Sequence, residues 1–203
     1  MLIVVGGHSR NIGKTSVVAG LIAALPQARW TALKITQHGH GVCSAVGEPC
    51  DCAVEYDHPY AISEETGPSS TDSGRYLGAG ASRAFWLRTA QGQLGHAIPA
   101  IRRLLDEGGN CIVESNSLLD FVSPDLYVAV LDYSVADMKD SARRHLPRAN
   151  ALVTVHRGPA PWHGVPERWL AGKPIFEAAP PVYVSKALAT FAGEKLQARR
   201  EDR

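Results

Sequence analysis

A run of glycine, lysine and hydroxyl residues near the amino terminus has the composition of a phosphate-binding loop. It spans residues 7–16 and reads Gly-His-Ser-Arg-Asn-Ile-Gly-Lys-Thr-Ser. The run lies between an apolar segment and an amphipathic one, so we predict that it joins a buried strand to a helix. In such a loop, the backbone N–H groups and the positive end of the helix dipole bind phosphate.

The chemistry of each loop residue predicts its role. As in a Walker A loop, Lys14 would contact the terminal phosphates and act in catalysis, and the Thr15 hydroxyl would bind Mg²⁺. Gly13 would allow close approach of the backbone. His8 replaces the first glycine of the standard pattern, and it would either contact phosphate or face solvent. The predicted nucleotide-binding residues are Gly7, Asn11, Ile12, Gly13, Lys14, Thr15, Ser16 and Lys34.

Charged residues also stand at the ends of other predicted strands. Glu114 follows the apolar run 111–113, Lys34 lies near the end of the second strand, and Asp132 ends a later one. Ligands of open parallel sheets bind at the carboxyl ends of the strands. We therefore predict that Glu114 holds Mg²⁺ or orients an attacking water, and that Lys34 faces a second phosphate or a substrate anion. The structural alternatives are a helix cap for Glu114, a solvated Lys34, and a turn cap for Asp132.

A cluster of cysteine and histidine residues follows the second predicted strand. His38, His40, Cys43, Cys50 and Cys52 fall within fifteen residues. Thiolate and imidazole groups suit Zn²⁺ or an iron–sulfur cluster, and a structural metal would order a segment that has few apolar residues. The alternatives are free surface thiols, or a labile disulfide between Cys50 and Cys52.

The elements that must position these residues alternate between strand-like and helix-like patterns. Strands are predicted at 2–5, 30–35, 83–87, 111–113, 126–131, 151–155 and 175–176, and helices at 15–25, 72–80, 93–105, 136–145 and 185–200. In the third of these helices, Pro99 predicts either a kink or the true start. The alternation predicts an α/β fold with a doubly wound, mostly parallel sheet. We expect one domain over residues 1–203, with 37–71 as an inserted Cys-rich loop.

Composition limits the classes of partner. The 203 residues carry a net charge of only +1, which argues against an extended nucleic-acid surface. No apolar run approaches the ~20 residues that span a bilayer, so no membrane partner is expected. The N-terminal segment lacks the pattern of a secretory signal, so we expect a cytoplasmic protein without structural disulfides. Cys111, inside an apolar run, is expected to be a core residue.

Three further segments resemble those of one protein family. Residues 33–38 (Leu-Lys-Ile-Thr-Gln-His), 72–81 (Asp-Ser-Gly-Arg-Tyr-Leu-Gly-Ala-Gly-Ala) and 113–115 (Val-Glu-Ser) resemble motifs of MobB-type proteins, the molybdopterin-guanine dinucleotide biosynthesis adaptor family. The resemblance covers residues 2–132. It implies a P-loop NTPase of the branch that contains dethiobiotin synthetase and the nitrogenase iron protein.

The same resemblance implies a function. A MobB-like protein would bind and slowly hydrolyse GTP, form a homodimer, and serve a partner nucleotidyltransferase in molybdenum cofactor or other metallocofactor maturation. The sequence contains no Asn-Lys-x-Asp motif for reading guanine, so the choice between GTP and ATP stays open.

Two other functions compete with this one. The spacing Gly-x5-Gly-Lys-Thr of the loop also resembles that of dethiobiotin synthetases, which are ATP-dependent ligases, although Ser115, Ser117 and Leu118 replace glycines of that family. The third function is that of a non-enzymatic metal carrier or sensor, gated by the nucleotide and using the Cys/His cluster.

Overall fold

The computed structural model describes residues 1–38, 58–107, 109–156 and 158–201. In these residues, eight strands form one sheet. They are β1 (Leu2–Gly7), β2 (Thr31–His38), β3 (Tyr60–Glu64), β4 (Arg83–Ala90), β5 (Cys111–Glu114), β6 (Leu126–Asp132), β7 (Ala151–Val155) and β8 (Ile175–Ala178). Their order across the sheet is β3-β4-β2-β5-β1-β6-β7-β8. All neighbours are parallel except β3 and β4, so the predicted α/β sheet is confirmed.

The helices connect these strands. They are α1 (Lys14–Ala24), α2 (Asp72–Gly78), α3 (Ile98–Glu107), α4 (Asp140–His145) and α5 (Lys186–Glu201), and short 3₁₀ turns precede or follow several of them. Pro99 is the second residue of α3 and marks its start, because proline needs no N–H partner in the first turn. Helix α4 is four residues shorter at its start than predicted. No helix in the described part of the chain is long and apolar enough to cross a membrane.

Two apolar layers enclose the sheet. Along β1, Ile3 and Val5 face the layer formed with α1, α2 and α5, while Val4 faces the layer formed with α3 and α4. This alternation follows from the two-residue period of a strand. The central strands are therefore buried on both faces, as a doubly wound sheet requires. Cys111 lies in β5 as a buried free thiol, in agreement with its predicted place in the core, and burial raises its pKa to about 11.

Part of the predicted loop 37–71 is regular structure. Residues 37 and 38 extend β2, and residues 60–64 form β3, which pairs antiparallel with β4 through positions such as Ile62 and Leu87. The prediction of an irregular segment is wrong for these residues. An edge strand with one exposed side lacks the continuous apolar run by which buried strands are recognised. Residues 39–57 lie outside the described part of the chain.

Candidate functional site

The predicted phosphate-binding loop, residues 7–16, joins β1 to α1, as the sequence predicts. Gly13 precedes α1 in a left-handed conformation with φ 89°. A Cβ at Gly13 would also lie 2.1 Å from Cε1 of the Tyr183 ring. Glycine is therefore required at this position by the backbone and by the packing. Asn11 is exposed with a positive φ of 54°, whereas the side chain of Ile12 is buried in the core.

The start of the loop is held by the end of a neighbouring strand. Gly7 N–H donates to Asn116 Oδ1 over 2.9 Å, and Asn116 Nδ2 donates to the Gly7 carbonyl over 2.8 Å. Asn116 follows β5, which lies next to β1. Because this amide binds the backbone N–H and carbonyl of a residue 109 positions away, no sequence motif identifies Asn116 as part of the site.

His8 occupies neither of its predicted places. Its side chain is only 1% exposed, and its ring packs on Trp162 with centroids 4.8 Å apart. Nε2 accepts the N–H of Asp132 over 3.0 Å, so Nδ1 is the protonated nitrogen and donates to the Asp137 carbonyl over 2.7 Å. Burial lowers the pKa of His8, which favours this neutral form. His8 thus connects the loop to the segment after β6.

Lys14 lies over the first half of the loop. Its ammonium donates to the Ser9 carbonyl over 2.5 Å. Burial lowers the pKa of Lys14 to about 8. The positive charge of Lys34 also lowers this pKa, whereas the negative charge of Glu114 raises it. A bound polyphosphate would stabilise the charged form of this ammonium.

The next hydroxyl residue along the helix after Thr15 is Ser16, which accepts a hydrogen bond from Arg75 Nη2 over 3.1 Å.

Glu114 lies at the centre of a polar cluster. It is 3% exposed, and its Oε2 accepts from Thr15 Oγ1 over 2.8 Å and from Tyr76 Oη over 2.5 Å. Its Oε1 accepts from Lys34 Nζ over 2.5 Å. The structure therefore brings together three residues that the sequence selected, Thr15, Lys34 and Glu114. Glu114 is not a helix cap, because Ser115 Oγ accepts the N–H of Leu118 in that turn.

Helix α2 adds two residues that sequence reasoning missed. Asp72 Oδ2 is 2.8 Å from Lys34 Nζ, and Tyr76, one turn later, reaches Glu114. The i, i+4 spacing places both side chains on one face of the helix. Burial raises the pKa of Asp72, but the hydrogen bond from Lys34 and its positive charge outweigh burial and leave the pKa below its ordinary value. Burial raises the pKa of Tyr76 well above its ordinary value, so it donates as a neutral phenol.

The donor set fits Mg²⁺. Thr15 gives its proton to Glu114, which leaves the hydroxyl lone pairs available for a cation, and carboxylate oxygens of Glu114 and Asp72 lie beside them. Hydroxyl and carboxylate oxygens are the ligands that Mg²⁺ prefers, together with water and nucleotide phosphates.

The Cys/His cluster falls almost wholly outside the described residues. His38 ends β2, where it pairs with Ala90 in register. His40, Cys43, Cys50 and Cys52 lie in the undescribed segment. Within the described residues, no group of three or more histidine, cysteine or acidic residues is arranged to hold a metal. The Zn²⁺ or iron–sulfur site at this cluster stays a prediction.

Comparison with known proteins identifies the fold. No family model matches the chain, and no curated protein matches it. The structure is similar to that of HypB from Helicobacter pylori in complex with nickel, with a TM-score of 0.52 and 14% identity over 98% of this chain and 87% of HypB. LpxK from Aquifex aeolicus in complex with ATP has a TM-score of 0.48 and 19% identity over 87% of this chain and 53% of LpxK. The chain has the α/β fold of P-loop NTPases.

Proposed function

We propose that this chain binds a nucleoside triphosphate, GTP or ATP, with Mg²⁺ and hydrolyses it slowly. One observation carries the proposal: the hydroxyl of Thr15, in the first turn of α1, donates over 2.8 Å to Glu114 at the end of β5. This contact joins the phosphate-binding loop to an acidic strand end, which is the arrangement that nucleotide hydrolysis with Mg²⁺ needs.

Phosphate binding would rest on the loop and Lys14. Backbone N–H groups at the start of α1 point along the helix axis and attract anions. The ammonium of Lys14 already lies above the loop, where it contacts the Ser9 carbonyl. Because its pKa is lowered to about 8 mainly by burial, exchange of that carbonyl for phosphate would be electrostatically favourable.

Thr15 would hold Mg²⁺, with Glu114 supporting Thr15 and with Asp72 nearby. Mg²⁺ bound there would supply positive charge that offsets the charge of the phosphates. Glu114 already accepts three hydrogen bonds, so it would act by keeping Thr15 oriented. Asp72 keeps a side chain that is 42% exposed, and its lowered pKa keeps it ionised at neutral pH. Asp72 is therefore the carboxylate best able to orient an attacking water.

The process we propose for this nucleotide cycle is metallocofactor maturation in the cytoplasm. The MobB-type resemblance of residues 2–132 supports a role in molybdenum cofactor synthesis, and the structurally similar HypB was crystallised with nickel. A homodimer and a partner protein that builds or receives the cofactor belong to the same proposal. Cys43, Cys50 and Cys52, with His38 or His40, are the candidate ligands of a transition metal.

The variant Lys14→Ala tests nucleotide binding. We expect titration calorimetry to show loss of Mg·GTP and Mg·ATP affinity by on the order of 100-fold or more, because the buried ammonium is removed. Lys195→Ala, at an exposed position of α5, is the matched control. Parent-like affinity in Lys14→Ala would refute the assignment of the phosphate-binding loop.

Elemental analysis tests the metal at the cysteine cluster. Protein purified anaerobically is expected to carry a stoichiometric transition metal, and Cys43→Ser, Cys50→Ser and Cys52→Ser are each expected to lower the metal content. The buried Cys111→Ser variant is the control, because its thiol lies in the core within β5. A metal-free parent protein would remove the metal site from the proposal.

A further inference from the structure

A lysine outside the proposed machinery lies beside the first half of the phosphate-binding loop. Lys139 is the residue before α4, and its backbone N–H donates to the His8 carbonyl over 2.9 Å. Two residues earlier, the Asp137 carboxylate accepts from Ser9 Oγ over 2.6 Å, and its carbonyl accepts from His8 Nδ1 over 2.7 Å. Three hydrogen bonds therefore hold the segment 137–139 against residues 8 and 9.

The ammonium of Lys139 lies in an unfavourable environment for a cation. Within the described residues, no side chain forms a hydrogen bond or an ion pair with it. Burial lowers the pKa of Lys139 to about 8, and the positive charges of Lys14, Arg10 and Lys34 add to the effect, with only Asp137 opposing them. Lys34, by contrast, is paired with two carboxylates.

The position of Lys14 indicates where the outer phosphates of a nucleotide would lie relative to Lys139. In loops of this kind, the lysine contacts the β- and γ-phosphates. The Lys14 ammonium lies on the Ser9 carbonyl, and Ser9 also contacts the segment that carries Lys139. The Lys14 ammonium and the segment that carries Lys139 therefore meet at Ser9, and the charge of Lys14 is close enough to lower the pKa of Lys139. Burial and mutual repulsion disfavour the charged forms of Lys14 and Lys139 in the free protein. A polyanion bound between the two ammonium groups would offset both effects.

We propose that Lys139 binds a phosphate group beyond the β-phosphate of the nucleotide. This phosphate is either the terminal one of the triphosphate or one brought by a second ligand. The inference rests on the proposed function, because it uses the direction of the nucleotide along the loop. Lys139 would then distinguish the triphosphate from the diphosphate.

Titration calorimetry with Lys139→Met tests this role. The probes are GMPPNP and GDP, AMPPNP and ADP in parallel, and inorganic phosphate added to the diphosphate-bound protein. Lys139→Arg tests rescue by a retained charge, and Lys195→Met, at an exposed position of α5, controls for the change in net charge. Substitution preserves the backbone N–H that binds His8, so the segment 137–139 keeps that anchor.

We expect triphosphate affinity to fall about tenfold in Lys139→Met, with diphosphate affinity unchanged and affinity largely restored in Lys139→Arg. If only the binding of inorganic phosphate to the diphosphate complex is lost, the phosphate belongs to a second ligand. Unchanged affinity for every probe, or an equal fall for diphosphate and triphosphate, would overturn the inference. A parent protein that binds no nucleotide would instead overturn the proposed function, and this inference with it.

Thermal unfolding gives a readout that a merely structural lysine would not produce. Because Lys139→Met removes a buried cation from beside three others, its unfolding midpoint at pH 7 is expected to equal or exceed that of the parent. A lower midpoint together with unchanged triphosphate affinity would show that Lys139 serves the fold and not the phosphate.

Discussion

The carboxyl edge of the sheet has two halves, which lie on either side of β1 and use polar residues differently. On the β5 and β2 side, Lys34 and Tyr76 from separate elements converge on Glu114. On the β6 and β7 side, His8 hydrogen-bonds to backbone groups, and Asp132 accepts from the N–H and hydroxyl of Ser134.

This difference shows how a strand-end acid serves either chemistry or structure. Asp132 caps the turn that follows β6, as the structural alternative predicted, and His156 adds a further hydrogen bond of 2.9 Å. Among the described residues, Glu114 instead accepts only from side chains, and one of these is the candidate Mg²⁺ ligand Thr15. Glu114 accepts hydrogen bonds from side chains that can themselves bind ligands, so it is positioned for function. Asp132 accepts from a nearby backbone N–H, so it stabilises a loop.

The largest expected effect is on the Glu114 half. In Glu114→Gln, hydrolysis measured as phosphate release is expected to fall by on the order of 10²–10⁴-fold, because the charge that orients Thr15 and Lys34 is lost. Nucleotide affinity in EDTA should change only a few-fold, since Lys14 and the loop are retained. Glu194→Gln, on an exposed position of α5, is the control. Parent-like turnover would show that the two halves do not differ in chemistry.

On the β6 and β7 side, we expect substitution of His8 to lower the stability of the fold. His8→Ala leaves the Asp132 N–H and the Asp137 carbonyl without their partner and opens a cavity beside Trp162. We expect the free energy of unfolding in denaturant to fall by about 3 kcal/mol. The exposed His163→Ala is the control. An unchanged unfolding midpoint would contradict a structural role for His8.

The smallest expected effect is the pH dependence of the loop between the halves. The charged form of Lys14 binds phosphate, and its pKa in the free protein is about 8. Affinity should therefore be nearly complete at pH 7, about half its full value at pH 8 and about tenfold below its full value at pH 9, because binding then requires proton uptake. Calorimetry in two buffers with different ionisation enthalpies measures that uptake. In Lys14→Arg the side chain stays charged, so the fall in affinity between pH 8 and pH 9 should disappear.

The sequence alone identified residues that act as neighbours along the chain. The loop 7–16 could be recognised because phosphate binding uses consecutive backbone N–H groups and a helix N-terminus, so its signal is contiguous. The apolar runs of β1, β5 and β6 were also recognisable, because strands buried on both faces are continuously apolar. Strand-end reasoning selected Glu114 and Lys34 for the same edge of the sheet, where they meet.

Only the tertiary structure decided the partners that are distant in sequence. Tyr76 reaches Glu114 across 38 residues, Asn116 holds Gly7 across 109, and His8 is buried through contacts with Asp132 and Asp137. Each contact depends on which strands are neighbours in the sheet and on their register, which side-chain periodicity does not encode. The chain thus specifies the chemistry of its loop locally, whereas the order of β5, β1 and β6 determines which residues support that chemistry.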